Sequence, residues 1–255
     1  MNFAYTPERL EALERSISPA RLSHYRGDAG DDLEAAIRLY QHNARLSAAL
    51  YGPLQGLEVT IRNAINDQFC DRFGATWYDL AQIRLQPQQI ANVQDAINQA
   101  SELENGDLVE PSIGQIIAEL RFAFWVGVLG PKSENELWRK AAYKAFPHRP
   151  KGTERKQIHG SLNRLRRLRN RIAHHCRILQ RDLVSDHELI LEVIGWVCPD
   201  TREWIAAHSS FDPNDLPIKQ QPLPDLGLPA VDPIAPKTAA QDGRDGRSIL
   251  SIKAG

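Results

Sequence analysis

The sequence predicts an all-α protein, and three observations predict it. Apolar residues recur every three or four positions over long segments, as on one face of a helix, and alternating β-branched runs bounded by turn residues are nearly absent. Helix-starting words such as Thr6-Pro7-Glu8-Arg9 and Ser185-Asp186-His187-Glu188 stand in front of such segments.

Taken in order, Thr6 caps a short amphipathic helix that ends near Ser18-Pro19. Asp31 or Asp32 caps the next, which begins near Leu33 with Glu34 in its electropositive first turn. An apolar stripe then runs Leu46, Leu50, Leu54, Leu57, Ile61, Ile65. Pro53 lies inside it, and because proline removes an amide donor and crowds the preceding turn, a kink or break is expected there. A second stripe, Ile113, Ile117, Leu120, Phe124, Val128, reads as one helix of about five turns. A third runs Ile158, Leu162, Leu165, Leu168, Ile172, Cys176, Leu179. Ser185-Asp186-His187-Glu188 opens a helix that Pro199 stops, and Asp200-Thr201-Arg202-Glu203 caps a last short helix through Trp204 and Ile205.

Composition bounds the function. The chain has 255 residues, 42% of them hydrophobic, enough for a packed core. Residues 211–255 hold seven of the sixteen prolines, no tryptophan or tyrosine and no apolar periodicity, which predicts a domain over 1–210 and a disordered or extended tail over 211–255. No apolar run of membrane-spanning length occurs, and Met1-Asn2-Phe3-Ala4-Tyr5-Thr6 lacks a secretory pattern, so a cytoplasmic protein with no membrane partner is expected. Cys70, Cys176 and Cys198 are too few and scattered for a disulfide framework.

The formal net charge is only −1, but the charges are not evenly spread. From Lys151 to Arg181 ten basic residues (Lys151, Arg155, Lys156, Arg164, Arg166, Arg167, Arg169, Arg171, Arg177, Arg181) face one acid, Glu154, a local excess of nine. Such a stripe is the footprint of a phosphate-binding surface or a solvated arginine-rich helix face. With Ile172 at the centre of the buried side, an ideal helix puts His174 about 200° away, among Asn170, Arg167 and Arg177. Histidine beside arginine suits phosphodiester chemistry: the imidazole moves a hydroxyl proton while guanidinium groups stabilise charge developing on phosphate oxygens. The same residues on a helix face also fit plain solvation or hydrogen bonds to a neighbouring helix. No cofactor or metal is called for, since His148, His159 and the His174-His175 pair lack a short ligand spacing or an acidic cluster.

The Arg169-Asn170-Arg171-Ile172-Ala173-His174 segment resembles the R-x4-6-H signature of HEPN domains, and Leu168 through Ile178 resembles the motif of the Abi-like family associated with abortive infection. Leu39 through Ser47 and Leu57 through Ile65 resemble that family's opening helices, with Trp77-Tyr78, Phe122-Ala123-Phe124-Trp125, Trp138 and Phe146-Pro147 following in family order. The resemblance spans roughly residues 5–208 and implies a HEPN-like antiparallel helical bundle with additional N-terminal helices. It further implies a homodimer that cleaves RNA without metal, leaving a 2′,3′-cyclic phosphate. Arg169 and His174 would be the catalytic pair and Asn170 would orient one of them; Arg166, Arg167 and Arg177 are the candidate RNA-binding residues. Because Arg169 lies about 140° from His174 on an ideal helix and Arg171 only about 60°, Arg171 stands second to Arg169, with His175 as further support. Glu58 and Arg62, at i,i+4, either form a surface ion pair or brace the catalytic helix. Two other readings stay open: a non-catalytic module that binds RNA or a protein in a toxin–antitoxin pair, and an interaction scaffold acting through the tail. An antitoxin or other inhibitory protein is an expected partner.

Overall fold

The computed structural model describes residues 3–79, 83–101 and 109–216. Among them the secondary structure is helical, with no strand: α1 (Pro7–Ile17), α2 (Pro19–Asp28), α3 (Leu33–Phe73), α4 (Pro87–Ser101), α5 (Ile113–Glu119), α6 (Phe122–Gly127), α7 (Arg155–Ala173), α8 (Leu183–Val197) and α9 (Pro199–His208), with short 3-10 and π turns between α6 and α7. The all-α class read from periodicity is the class found.

Thr6 caps α1, its hydroxyl accepting the Arg9 N–H at 3.4 Å, and Asp32 caps α3 by accepting the Ala35 N–H at 2.9 Å. Between them lies α2, which the periodicity left unresolved; its buried residues are Leu22 and Tyr25. The centre of the fold is α3, whose 41 residues make it about 60 Å long and let it pack against α2, α6, α7, α8 and α9. It runs without interruption through Pro53, so the expected break does not occur. The ring is buried, and Leu50, Leu54 and Leu57 on both sides of it are almost wholly buried, so packing along this face outweighs a cost of about 3 kcal/mol for an interior proline.

The second stripe differs from its one-helix reading. Leu120 turns extended (φ −66°, ψ 110°), and its carbonyl accepts the Trp125 indole N–H at 3.1 Å instead of continuing the helical ladder. Two short helices, α5 and α6, result. The bend seats Trp125 in an aromatic core with Phe124 (5.1 Å between centroids) and Trp77, itself 4.9 Å from Phe69.

Helix α8 begins at Leu183, three residues before the start that a cap at Ser185 implies. Asp182 is its cap, accepting the Ser185 N–H at 3.1 Å, and Asp186 is instead a fully buried ion-pair acceptor. In the same way α9 starts at Pro199 rather than at Asp200. The compact unit ends at Asp215. Phe211 is buried with its ring 4.8 Å from that of His187, and Asp215 pairs with Arg45 at 3.2 Å, so contacts with the helices continue past residue 210, although residues 212–215 are exposed. Residues 217–255, where most of the predicted tail falls, lie outside the described residues. No helix among the described residues is long and apolar enough to cross a membrane.

Candidate functional site

The site is built on α7. Its buried line is Ile158, Leu162, Leu165, Leu168 and Ile172, and its start is tied by Gln157, whose side-chain oxygen accepts the Glu154 N–H at 2.7 Å. Its end is a Schellman turn. The His175 N–H donates to Ile172 O at 3.0 Å, the Cys176 N–H donates to Arg171 O at 2.8 Å, and His175 adopts the left-handed conformation at φ +54° that glycine usually supplies. The helix therefore stops at Ala173, and Cys176 and Leu179 belong to the following loop, not to the stripe.

This early end changes the placement of the signature. The His174 N–H still donates to Asn170 O at 2.9 Å, so His174 sits one turn beyond Asn170 and two beyond Arg166, in one column on the solvent side. The His174 imidazole is exposed, and neither it nor the Asn170 amide has a hydrogen-bond partner among the described residues. Arg169 flanks the column, and its Nε donates to Glu58 Oε1 at 2.6 Å. Because His174 keeps the helical hydrogen bond to Asn170, its separation of about 140° from Arg169 stands, and Arg169 faces Glu58 on α3. Glu58 and Arg62 are not paired: Glu58 braces α7 from α3, whereas Arg62 reaches Asn63 Oδ1 at 3.1 Å and Ala118 O at 3.5 Å.

The loop after His174 is fastened from four sides. Arg171 donates through Nε and Nη2 to the Arg177 carbonyl, the former at 3.2 Å. Arg21 on α2 donates to the His175 carbonyl at 2.9 Å. Arg177 pairs with Asp28, donates to His24 O at 3.3 Å and lies over the Tyr25 ring, and its side chain is only 14% exposed. Asn43, 4% exposed on α3, accepts the Ile178 N–H at 2.7 Å and donates to the Cys176 carbonyl at 3.4 Å. Arg171 and Arg177, both candidates for the site, are thus committed to holding the turn. Sequence reasoning missed Arg21, Asp28 and Asn43. Only Asn43 left a signal: it is a lone amide in phase with Leu46 and Leu50 on an otherwise apolar stripe.

The basic run is also partly answered from elsewhere in the chain. Arg155 pairs with Glu134, Arg164 and Arg181 with buried Asp186, Arg169 with Glu58 and Arg177 with Asp28. Four carboxylates thus meet the run and lower its excess from nine to five. Lys151, Lys156, Arg166, Arg167 and Arg171 have no carboxylate partner among the described residues, although Arg166 donates to Asn163 Oδ1 at 3.0 Å. His159 contacts Asn163, and burial pushes its imidazole below the ordinary value. No three His, Cys, Asp or Glu side chains gather at one point among the described residues.

A separate apolar groove of about 410 Å³ lies between α3 and α9, lined by Pro53, Gly56, Val59, Trp204 and Ile205 among others. Gly56 lets the Ile205 side chain of α9 approach α3 closely, because a Cβ there would stand 2.3 Å from it. Trp204 at its rim is 62% exposed.

Compared with known proteins, residues 9–180 match the model of a family described as Abi-like protein. No curated protein and no solved structure matches the chain. The match covers about two thirds of the chain, including the opening helices, Glu58 and the whole Arg169–His174 segment, and by it the chain belongs to the Abi-like protein family.

Proposed function

We propose that this protein is a metal-independent endoribonuclease of the HEPN type. Membership in the Abi-like family supports a role in abortive infection, and the ribonuclease reading goes beyond it on the strength of the site. The observation that carries it is the grouping of an exposed, unpartnered His174 with the free Asn170 amide and with Arg169, held by Glu58 at 2.6 Å.

In the reaction His174 takes the proton from a ribose 2′-hydroxyl, and the 2′-oxygen attacks the adjacent phosphorus in line with the departing 5′-oxygen. Arg169 stabilises the charge that builds on the non-bridging oxygens, and Asn170 orients the phosphate or the imidazole. The P–O5′ bond breaks, the 5′-oxygen gains a proton, and the products are a 2′,3′-cyclic phosphate and a 5′-hydroxyl. A second copy facing the first would supply an acid on the far side of the phosphate. The exposed α3 residue Val59, with Trp204 lining the same groove, offers an apolar face for such a homodimer.

One observation favours a second reading. Arg169 is already paired with a carboxylate, as in a module that binds RNA or an antitoxin without catalysis. Incubating wild-type, Arg169→Ala and His174→Ala protein with mixed RNA in EDTA separates the two. The ribonuclease reading expects cleavage by wild type alone, with cyclic phosphate ends; full activity in His174→Ala, or salt-dependent binding with no cleavage, removes it.

A further inference from the structure

The α7 face opposite the buried line carries Lys156, Gly160, Asn163, Arg167 and Asn170, and His174 continues it beyond the last turn. The spacing alternates four and three residues, which keeps all six positions on one straight stripe about 27 Å long. Lys156, Gly160, Arg167 and His174 are exposed. The stripe contains no acid and no apolar side chain. Its two cations have no carboxylate within ion-pair distance among the described residues, although five other basic residues of the same run are paired. Gly160 adds an independent observation. Glycine in an exposed helix interior costs stability relative to alanine, yet nothing stands within 4 Å of where its Cβ would be, so no packing within the chain requires it. A glycine there lowers the stripe one turn in from Lys156 and lets something approach the helix closely.

We infer that this stripe is the track for the sugar–phosphate backbone of a single RNA strand, which enters over Lys156, crosses the low point at Gly160, contacts Arg167 and reaches the cleavage point at His174. The inference rests on the ribonuclease reading for its end point but not for its binding residues. Two lysine and arginine charges alternating with amides match phosphates and ribose hydroxyls. No Phe, Tyr or Trp lies on α7, and the one imidazole within it, His159, is half-buried off the stripe, so binding follows the backbone and tolerates any sequence. A single strand is required because in-line attack by a 2′-oxygen needs an unstacked nucleotide, which an A-form duplex does not present.

The test is fluorescence anisotropy with a labelled single-stranded RNA of about 15 nucleotides, on full-length protein in a His174→Ala background that blocks cleavage. Each lost phosphate contact to a single strand lowers the slope of log affinity against log salt by about 0.7, so Lys156→Gln with Arg167→Gln should lower it by about 1.4 and weaken binding about 25-fold at about 0.1 M salt. Gly160→Gln fills the low point with a neutral helix former. It should raise the thermal midpoint and at the same time weaken RNA binding, a combination that a purely structural role does not produce. An unchanged slope in the double variant, unchanged affinity in Gly160→Gln, or equally tight binding of polyglutamate overturns the track. Cleavage by the wild type together with an unchanged slope would discard the track and leave the ribonuclease reading standing. A lowered slope together with cleavage that persists in His174→Ala would do the reverse.

Discussion

Replacing Asn43 with alanine removes the one side chain that ties α3 to the loop after His174 by both its donor and its acceptor. The residue is 4% exposed, accepts the Ile178 N–H at 2.7 Å and donates to the Cys176 carbonyl at 3.4 Å. The longer bond contributes little, so the magnitude follows from the Ile178 amide. That amide is buried, and stranding a buried donor costs about 1–3 kcal/mol. The space vacated by the amide in a packed contact adds about 1 kcal/mol. A loss of about 3 kcal/mol corresponds to a fall of about 6–12 °C in the unfolding midpoint for a domain of this size. Urea denaturation measures the first quantity, with the slope against denaturant unchanged, and native-state hydrogen exchange should show the Ile178 amide losing protection. Gln55→Ala, exposed on the same helix, serves as the control and should stay within about 0.5 kcal/mol of wild type. On the proposed ribonuclease function, RNA cleavage should fall in Asn43→Ala under conditions where the protein remains folded, because the turn that presents His174 is released. A change below about 0.5 kcal/mol, or an Ile178 amide as protected as before, would refute this account of the loop.

The remaining predictions concern the same turn and its supports. Asp186→Ala leaves Arg164 and Arg181 without the fully buried carboxylate they share; because both guanidinium groups keep access to water, it should destabilise by about 1–3 kcal/mol in chemical denaturation. His175→Gly relieves a left-handed residue at φ +54° and should stabilise by about 1 kcal/mol, whereas His175→Val should destabilise; equal stability of the two would show that the turn does not depend on this conformation. Burial against Phe211 pushes the His187 imidazole below its ordinary value of 6.5, so the folded chain favours the neutral ring while the unfolded chain takes up a proton. Stability should therefore be fully present above about pH 6.5 and decline as pH falls below it; His187→Gln should flatten part of that decline in thermal midpoints taken across the range.

Much of this molecule is legible in the order of its residues, because the relevant physics is local. A 3.6-residue repeat of leucine and isoleucine is enough to announce a helix and the side it buries, which is why α7 and the buried line of α3 can be read directly. Thr6 and Asp32 are likewise legible as caps, since a cap satisfies amides only two or three residues ahead. The placement of Arg169, Asn170 and His174 within one stretch also follows from adjacency in the chain.

Where a helix ends, and which charge meets which, is a different matter. His175 closes α7 in a conformation glycine favours because Arg21, Asn43, Arg171 and Arg177 hold the loop beyond it, and Arg21 and Asn43 stand more than 130 positions away in sequence. Glu58 takes Arg169 across 111 positions instead of Arg62 across four, since packing of α3 on α7 offers it a closer guanidinium than its own helix does. Pro53 leaves α3 continuous for the same reason: burial on both sides of the ring outweighs a local rule. The amino-acid sequence by itself determined most of the helices, their buried faces and the position of the Arg169–His174 segment. Only the tertiary structure decided which arginines remain open to a phosphate and which are spent on carboxylates, because ion pairing is set by distance in space and no residue pattern along the chain encodes that distance.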